Sequence, residues 1–211
     1  MTDKNELTRI EAFSDAVFAI AATLLVLELK VPSVDHSSSI AELWGKMANL
    51  WPSYLAFLLS FGTILIIWVN HHYTVRLLHN ISKSFLYANG FLLLTITVFP
   101  FPTAVLAEYI NTKFATTAVV LYSLACLLIN IAFIVWWRAM HKPVYLIKPE
   151  ITKHRIKKIL SQLVTGVSIY VLATLVSFWF PIIGIIVIIA TNILWITMSL
   201  LDRDAPRQGE G

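Results

Sequence analysis

The sequence is poor in cysteine and in charge, and it lacks the short motifs that carry hydrolytic or phosphoryl chemistry. Cys126 is the single cysteine, which excludes an intrachain disulfide and says nothing about redox compartment. No G-x-S-x-G, P-loop or H-E-x-x-H occurs, and no span holds paired carboxylates. An enzyme is therefore not expected, and neither is a cofactor. Charged residues are 13% of the 211, against about 25% in soluble domains. Basic patches on a soluble fold are missing too, so the formal charge of +4 gives no nucleic-acid reading.

What the chain has is apolar length. It is 58% hydrophobic, with mean hydropathy +0.76. Six runs reach the roughly 20 residues a bilayer requires: about 9–30, 52–76, 84–107, 114–138, 156–179 and 182–201. The expected fold is an all-α polytopic membrane protein, one six-helix domain over 1–201 followed by a polar tail, 202–211. "FPFP" at 99–102 should bend the third span, because proline removes backbone donors. "FWFP" at 178–181 reads as a tight reversal with Pro181 starting the last helix. The stretch 38–50 reads as a short amphipathic helix with an N-cap among Ser37 to Ser39. Asn130 and Asn192 are expected to bond between helices, and Glu108 to be solvated.

Thirteen of the sixteen Lys and Arg fall on one side of this layout; Lys30, Lys46 and Lys113 fall on the other. The positive-inside bias then puts both termini in the cytoplasm of a multi-pass cell-membrane protein. The linker 139–155 becomes the one substantial cytoplasmic loop, placed to meet anionic lipid. A cleaved signal peptide is not expected: the charged start is mixed in sign, and "ELKVPSVDH" offers no small-residue cleavage site.

The first span is unusual. "RIEAFSDAVFAIAATLLVLELK" carries Arg9, Glu11 and Asp15 at one end and Glu28 and Lys30 at the other. Charges within a span are costly and face protein or water, so this helix is expected to be central, with Ala16, Ala19, Ala21 and Ala22 allowing close approach of neighbours. At 100° per residue, Ala16, Ile20, Thr23, Leu27 and Lys30 form one stripe, and Ser14 and Asp15 lie on other faces. Periodicity alone reads that stripe as helix packing. Arg9 and Asp15 are too far apart around the helix to pair. The second span offers partners, with Trp68, His72, Arg76 and His79 at helical spacing, and Asp15 is expected to bond His72 or Arg76. Helix cohesion is the plain reading of that network; gating or proton sensing is the alternative. The histidine spacings do not suit a metal site: His71 and His72 point apart, and His72 and His79 are two turns apart.

Arg9-x-x-x-Phe13-Ser14-Asp15, followed by "AVFAIAATLLVLEL", resembles the TMEM175 family of potassium channels, whose signature at the first span is R-x-x-x-F-S-D. The detailed match covers residues 9–30. The resemblance implies a homotetramer built on one six-helix unit, whereas animal members carry two units and dimerise. It implies a central pore lined by the first helices, with no T-V-G-Y-G filter; this sequence has none. Carried over, the constriction falls on Ile20, Thr23 and Leu27, with permeant potassium near Thr23. The supporting network falls on Arg9, Phe13, Ser14 and Asp15, with Trp68 and His72 as partners. Lys30 would oppose cation entry and is not assigned to the pore. Apolar rings gate by dewetting, and a hydroxyl ring is a weaker potassium ligand than a carbonyl stack, so modest selectivity is expected. The expected partners are a second copy of the chain, the bilayer and monovalent cations. A proton-conducting or proton-coupled transporter is the alternative, drawing on Asp15, His71, His72 and His79. A purely structural membrane subunit is the third reading.

Overall fold

The computed structural model describes residues 2–33, 39–142, 146–149 and 151–201, without the side chains of residues 2–4. The tail 202–211 and Ser37 and Ser38 lie outside the described residues. Helices within this set are α1 (Thr2–Leu24), α2 (Ile40–Ala48), α3 (Trp51–Val75), α4 (Lys83–Val98), α5 (Pro100–Tyr109), α6 (Ala115–His141), α7 (Lys153–Ser177) and α8 (Pro181–Leu201). Six candidate spans result, because α4 and α5 form one crossing, Lys83–Tyr109. The described residues contain no strand beyond a single bridge between Leu78 and Ile147.

Sequence punctuation sets the ends. Phe99, almost fully buried, sits at the break between α4 and α5, where Pro100 and Pro102 cannot donate and the Phe99 N–H turns to Ile96 O at 3.2 Å. Pro181 opens α8. Ser39 caps α2 by accepting from the Glu42 amide, and Ser82 and Thr152 cap α4 and α7 in the same way.

The first span differs from its expected bounds at both ends. It begins at Thr2, because the polar stretch before Arg9 remains helical; hydropathy marks lipid contact and not the end of a helix. It stops being α-helical at Leu24 and tightens into a 3₁₀ turn, Leu25–Glu28. Pro32 lies just beyond and cannot continue the ladder, so short i+3 bonds such as Leu29 N–H to Val26 O close the last turn. Lys30 is therefore off the helix, and the stripe ends at Leu27.

Within the subunit the enclosed helix is α6, which lies against α4, α5, α7 and α8 and buries Trp136, Trp137, Tyr122 and Cys126. The expectation of a central first span concerns the assembly; within one subunit α1 is not enclosed. α1 flanks the bundle, touching α3 and α4 with Ser14, Phe18 and Ala21, and the 3₁₀ turn after it continues the stripe with Leu25 against α3 and α5. Small polar groups join the other spans. Ser60 of α3 bonds the Thr103 and Tyr122 hydroxyls at 2.7 and 3.0 Å. Asn192 of α8 donates to Leu59 O of α3 at 3.2 Å. Asn130 departs from expectation: its amide donates to Cys126 O within its own helix. Gly166 of α7 sits so close to the Asn130 carbonyl oxygen that a Cβ there would lie 2.8 Å from it.

At the end where α3 stops and α4 starts, the connection pairs with the α6–α7 linker. His79 N–H donates to Leu146 O at 2.7 Å and Lys148 N–H to Leu77 O at 3.0 Å. His79 lies in this connection, beyond the Arg76 cap of α3, and does not extend the α3 stripe.

Candidate functional site

Successive residues of α1 serve different neighbours, because helical rotation separates them by about 100°. Ser14 is fully buried and accepts from Asn89 Nδ2 of α4 at 3.0 Å. Asp15, the next residue, accepts from Trp68 Nε1 of α3 at 2.8 Å. Phe13, the preceding one, is 63% exposed on the opposite face.

Asn89 is the node. Its Oδ1 lies 3.0 Å from Trp136 Nε1 of α6 and 2.9 Å from His71 Nε2 of α3. An indole N–H only donates, so the Asn89 atom facing it must be the carbonyl oxygen, and its NH₂ must face Ser14. The same oxygen then requires a proton on His71 Nε2. His71 is fully buried between the Phe18 and Trp136 rings, at centroid distances of 5.4 and 4.9 Å, and its Nδ1 has no partner among the described residues. One amide thus ties α1, α3, α4 and α6 together.

The expected partners are redistributed. Asp15 meets Trp68, as one of its two assigned partners, but neither His72 nor Arg76. Those two instead face Glu11, with His72 Nδ1 at 3.9 Å and Arg76 Nε at 3.8 Å. His72 stacks on Trp68 at 5.7 Å and so touches the network only through that ring. The physical reason is rotation: a full turn separates Trp68 from His72 along α3, matching the full turn from Asp15 back to Glu11 on the antiparallel α1. Arg9 is exposed and has no partner among the described residues, and Phe13 stands apart from the network on the bare face. Sequence reasoning missed Asn89 and Trp136 and treated His71 only as a possible metal or proton group. A lone Asn inside the apolar run "LYANGFLLL" was the available signal.

The face of α1 opposite the network is bare. Ile20 is 59% and Leu27 69% exposed, with Ala16 and Thr23 exposed beside them. Thr23 Oγ1 donates to Ile20 O at 2.9 Å. With its proton committed to its own helix, that hydroxyl presents only lone pairs outward. Beyond the 3₁₀ turn, Lys30 reaches sideways to Glu108 at the end of α5, Nζ to Oε2 at 3.2 Å, leaving both side chains more than half exposed.

Comparison with known proteins places this architecture. Residues 9–100 match the family model described as endosomal/lysosomal potassium channel TMEM175. A potassium channel of Chamaesiphon minutus is 43% identical over 176 residues, 83% of this chain and 86% of that protein. The crystal structure of a lysosomal potassium-selective channel TMEM175 homolog from Chamaesiphon minutus superposes with a TM-score of 0.80 at 41% identity, covering 92% of this chain and 98% of the other. A shorter match, 41% over 69 residues, joins 30% of this chain to 14% of the Gallus gallus endosomal/lysosomal proton channel TMEM175. An all-helical chain of six spans, similar along most of its length to these proteins in both sequence and fold, belongs to the TMEM175 family.

Proposed function

We propose that four copies of the chain assemble around their α1 helices as a potassium-permeable, modestly selective cation channel of the cell membrane, with both termini cytoplasmic. The observation that carries this reading is the bare face of α1. A span whose one face is sewn into its subunit by Ser14, Asp15 and Phe18, and whose other face presents Ile20, Thr23 and Leu27, calls for a partner on that second side. Four such faces turned toward a common axis would stack two apolar rings with a hydroxyl ring between them. Ile20 and Leu27 would form a dry barrier that opens when the helices part or rotate. Thr23, its proton held by Ile20 O, would offer oxygen lone pairs in place of water lost by the ion. Hydroxyls on side chains hold an ion less rigidly than backbone carbonyls, hence the modest preference for potassium over sodium.

Arg9, Phe13, Ser14 and Asp15 have separate parts. Ser14 and Asp15 hold the orientation of α1 through Asn89 and Trp68; Phe13 and Arg9 lie where a neighbouring subunit would meet them. Lys30 is drawn to Glu108 and away from the line of Ile20 and Leu27.

The test is ion flux in proteoliposomes, with potassium and sodium compared side by side. Ile20→Ala and Leu27→Ala should raise leak and blunt discrimination. Ile20→Asn should wet the closed barrier and raise conductance, and Thr23→Ala should lower potassium preference with less leak. Intact tetramers whose flux and selectivity are unchanged in all four variants would put the ion path elsewhere. Proton conduction is the second reading, favoured by the name of the Gallus gallus relative. The apolar stretch from Ala16 to Leu27 contains no titratable group, so a proton would need water or the Thr23 hydroxyls, and imposed proton gradients separate the two readings.

A further inference from the structure

α2 is too amphipathic to be a mere connection. Around its axis Ile40, Leu43, Trp44, Met47 and Ala48 share one side, and Glu42, Gly45, Lys46 and Asn49 the other. Yet α2 has no buried residue in the subunit: Ile40 is 79% and Trp44 66% exposed. The polar side is the engaged one. Lys46 Nζ bonds Ser33 O at 2.9 Å, on the segment leaving α1, and pairs with Glu42 at 3.1 Å. On the apolar side Leu43 and Met47 are partly covered by their own subunit, while Ile40 and Trp44 stand out from it.

We propose that this apolar side lies on the lipid surface, at the membrane–water boundary of the Lys30 end of the bundle. Three observations choose lipid as the occupant. First, α2 joins a spanning helix through Asn49 and Leu50 alone, so it sits where that span enters the bilayer. Second, its apolar stripe continues into the exposed rings of Trp51 and Tyr54 at the start of α3, and Trp and Tyr are the side chains that settle at headgroup level. Third, a short helix with a full apolar face and a charged opposite face lies in the plane of the interface. The Lys46–Ser33 bond makes α2 a strap between the membrane surface and the chain leaving α1, independent of whether α1 lines a pore.

Spin labels on the full-length protein in phosphatidylcholine vesicles test this. Cys126 is fully buried, which leaves single introduced cysteines as the sites that label. Ile40→Cys and Met47→Cys report the apolar side, Glu42→Cys and Asn49→Cys the polar side. The proposal expects collisions with dissolved oxygen to dominate at Ile40 and Met47, and collisions with a water-soluble nickel chelate to dominate at Glu42 and Asn49. Nickel access at Ile40 and Met47 equal to that at the polar sites would overturn it, placing the helix in water. So would protection of both sites from both reagents, which would mean a second copy covers the face. Ile40 is 79% exposed, so Cys there disturbs little packing, and the same readout at Met47 guards against a local effect at either site.

Discussion

Replacing Asn89 with Ala removes the one side chain that joins four helices, and the cost follows from what it leaves behind. Trp136 Nε1 and His71 Nε2 lose their acceptor, and Ser14 Oγ loses its donor, all in a fully buried setting. A stranded buried polar group costs about 1–3 kcal/mol in water-soluble proteins. Side-chain hydrogen bonds between membrane helices average about 0.6 and reach about 1.7 kcal/mol. Three groups at the membrane values give about 2–5 kcal/mol. For a chain of this size each kcal/mol moves the melting midpoint by roughly 2–4 °C, so a fall on the order of 10 °C is expected. Ser14→Ala strands only the Asn89 NH₂ and should cost about 1 kcal/mol. Asn70→Ala is the control, because the Asn70 amide donates only to Ile66 O of its own helix. The measurement is thermal stability in detergent, read by fluorescence-detected size exclusion after a temperature series. If Asn89→Ala melts no lower than Ser14→Ala and Asn70→Ala, the node does not hold the helices together and the reasoning fails.

Trp68→Phe keeps the ring against His72 but removes the donor to Asp15; it should lower the midpoint by a few degrees, and Asp15→Asn, whose oxygen still accepts, should lower it less. A selectivity reversal in a fully stable Asp15→Asn assembly would contradict its assignment as a structural residue. Gly184→Ala places a methyl group within the Ser177 hydroxyl and 3.3 Å from Val119 Cγ1, so it should destabilise by about 1–3 kcal/mol. Adding Ser177→Ala should restore part of that loss in the same melting series, and no restoration would show that the strain lies elsewhere. Lys30→Ala should change stability by less than about 1 kcal/mol, because its pair with Glu108 is solvent-screened.

The sequence by itself determined the membrane class, the six apolar spans, the break at Phe99 and the reversal before Pro181. Each of these depends on local properties: hydropathy summed along a run, or a proline that removes a donor. It also carried the stretch Arg9 to Asp15, on which the resemblance to the family was read, and the stripe of Ile20, Thr23 and Leu27, since both follow from order along one helix. Which side chains meet that stretch was decided by tertiary structure. Asp15 meets Trp68 and not His72 or Arg76 because antiparallel packing sets the register of α1 on α3. Asn89 and Trp136 join Ser14 from 75 and more residues away, and no pattern along the chain encodes such a meeting. The tertiary structure also turned Lys30 toward Glu108, and enclosed α6 in the subunit while one face of α1 stayed bare. A sequence states which residues a helix can present; only packing decides which of its faces is already taken.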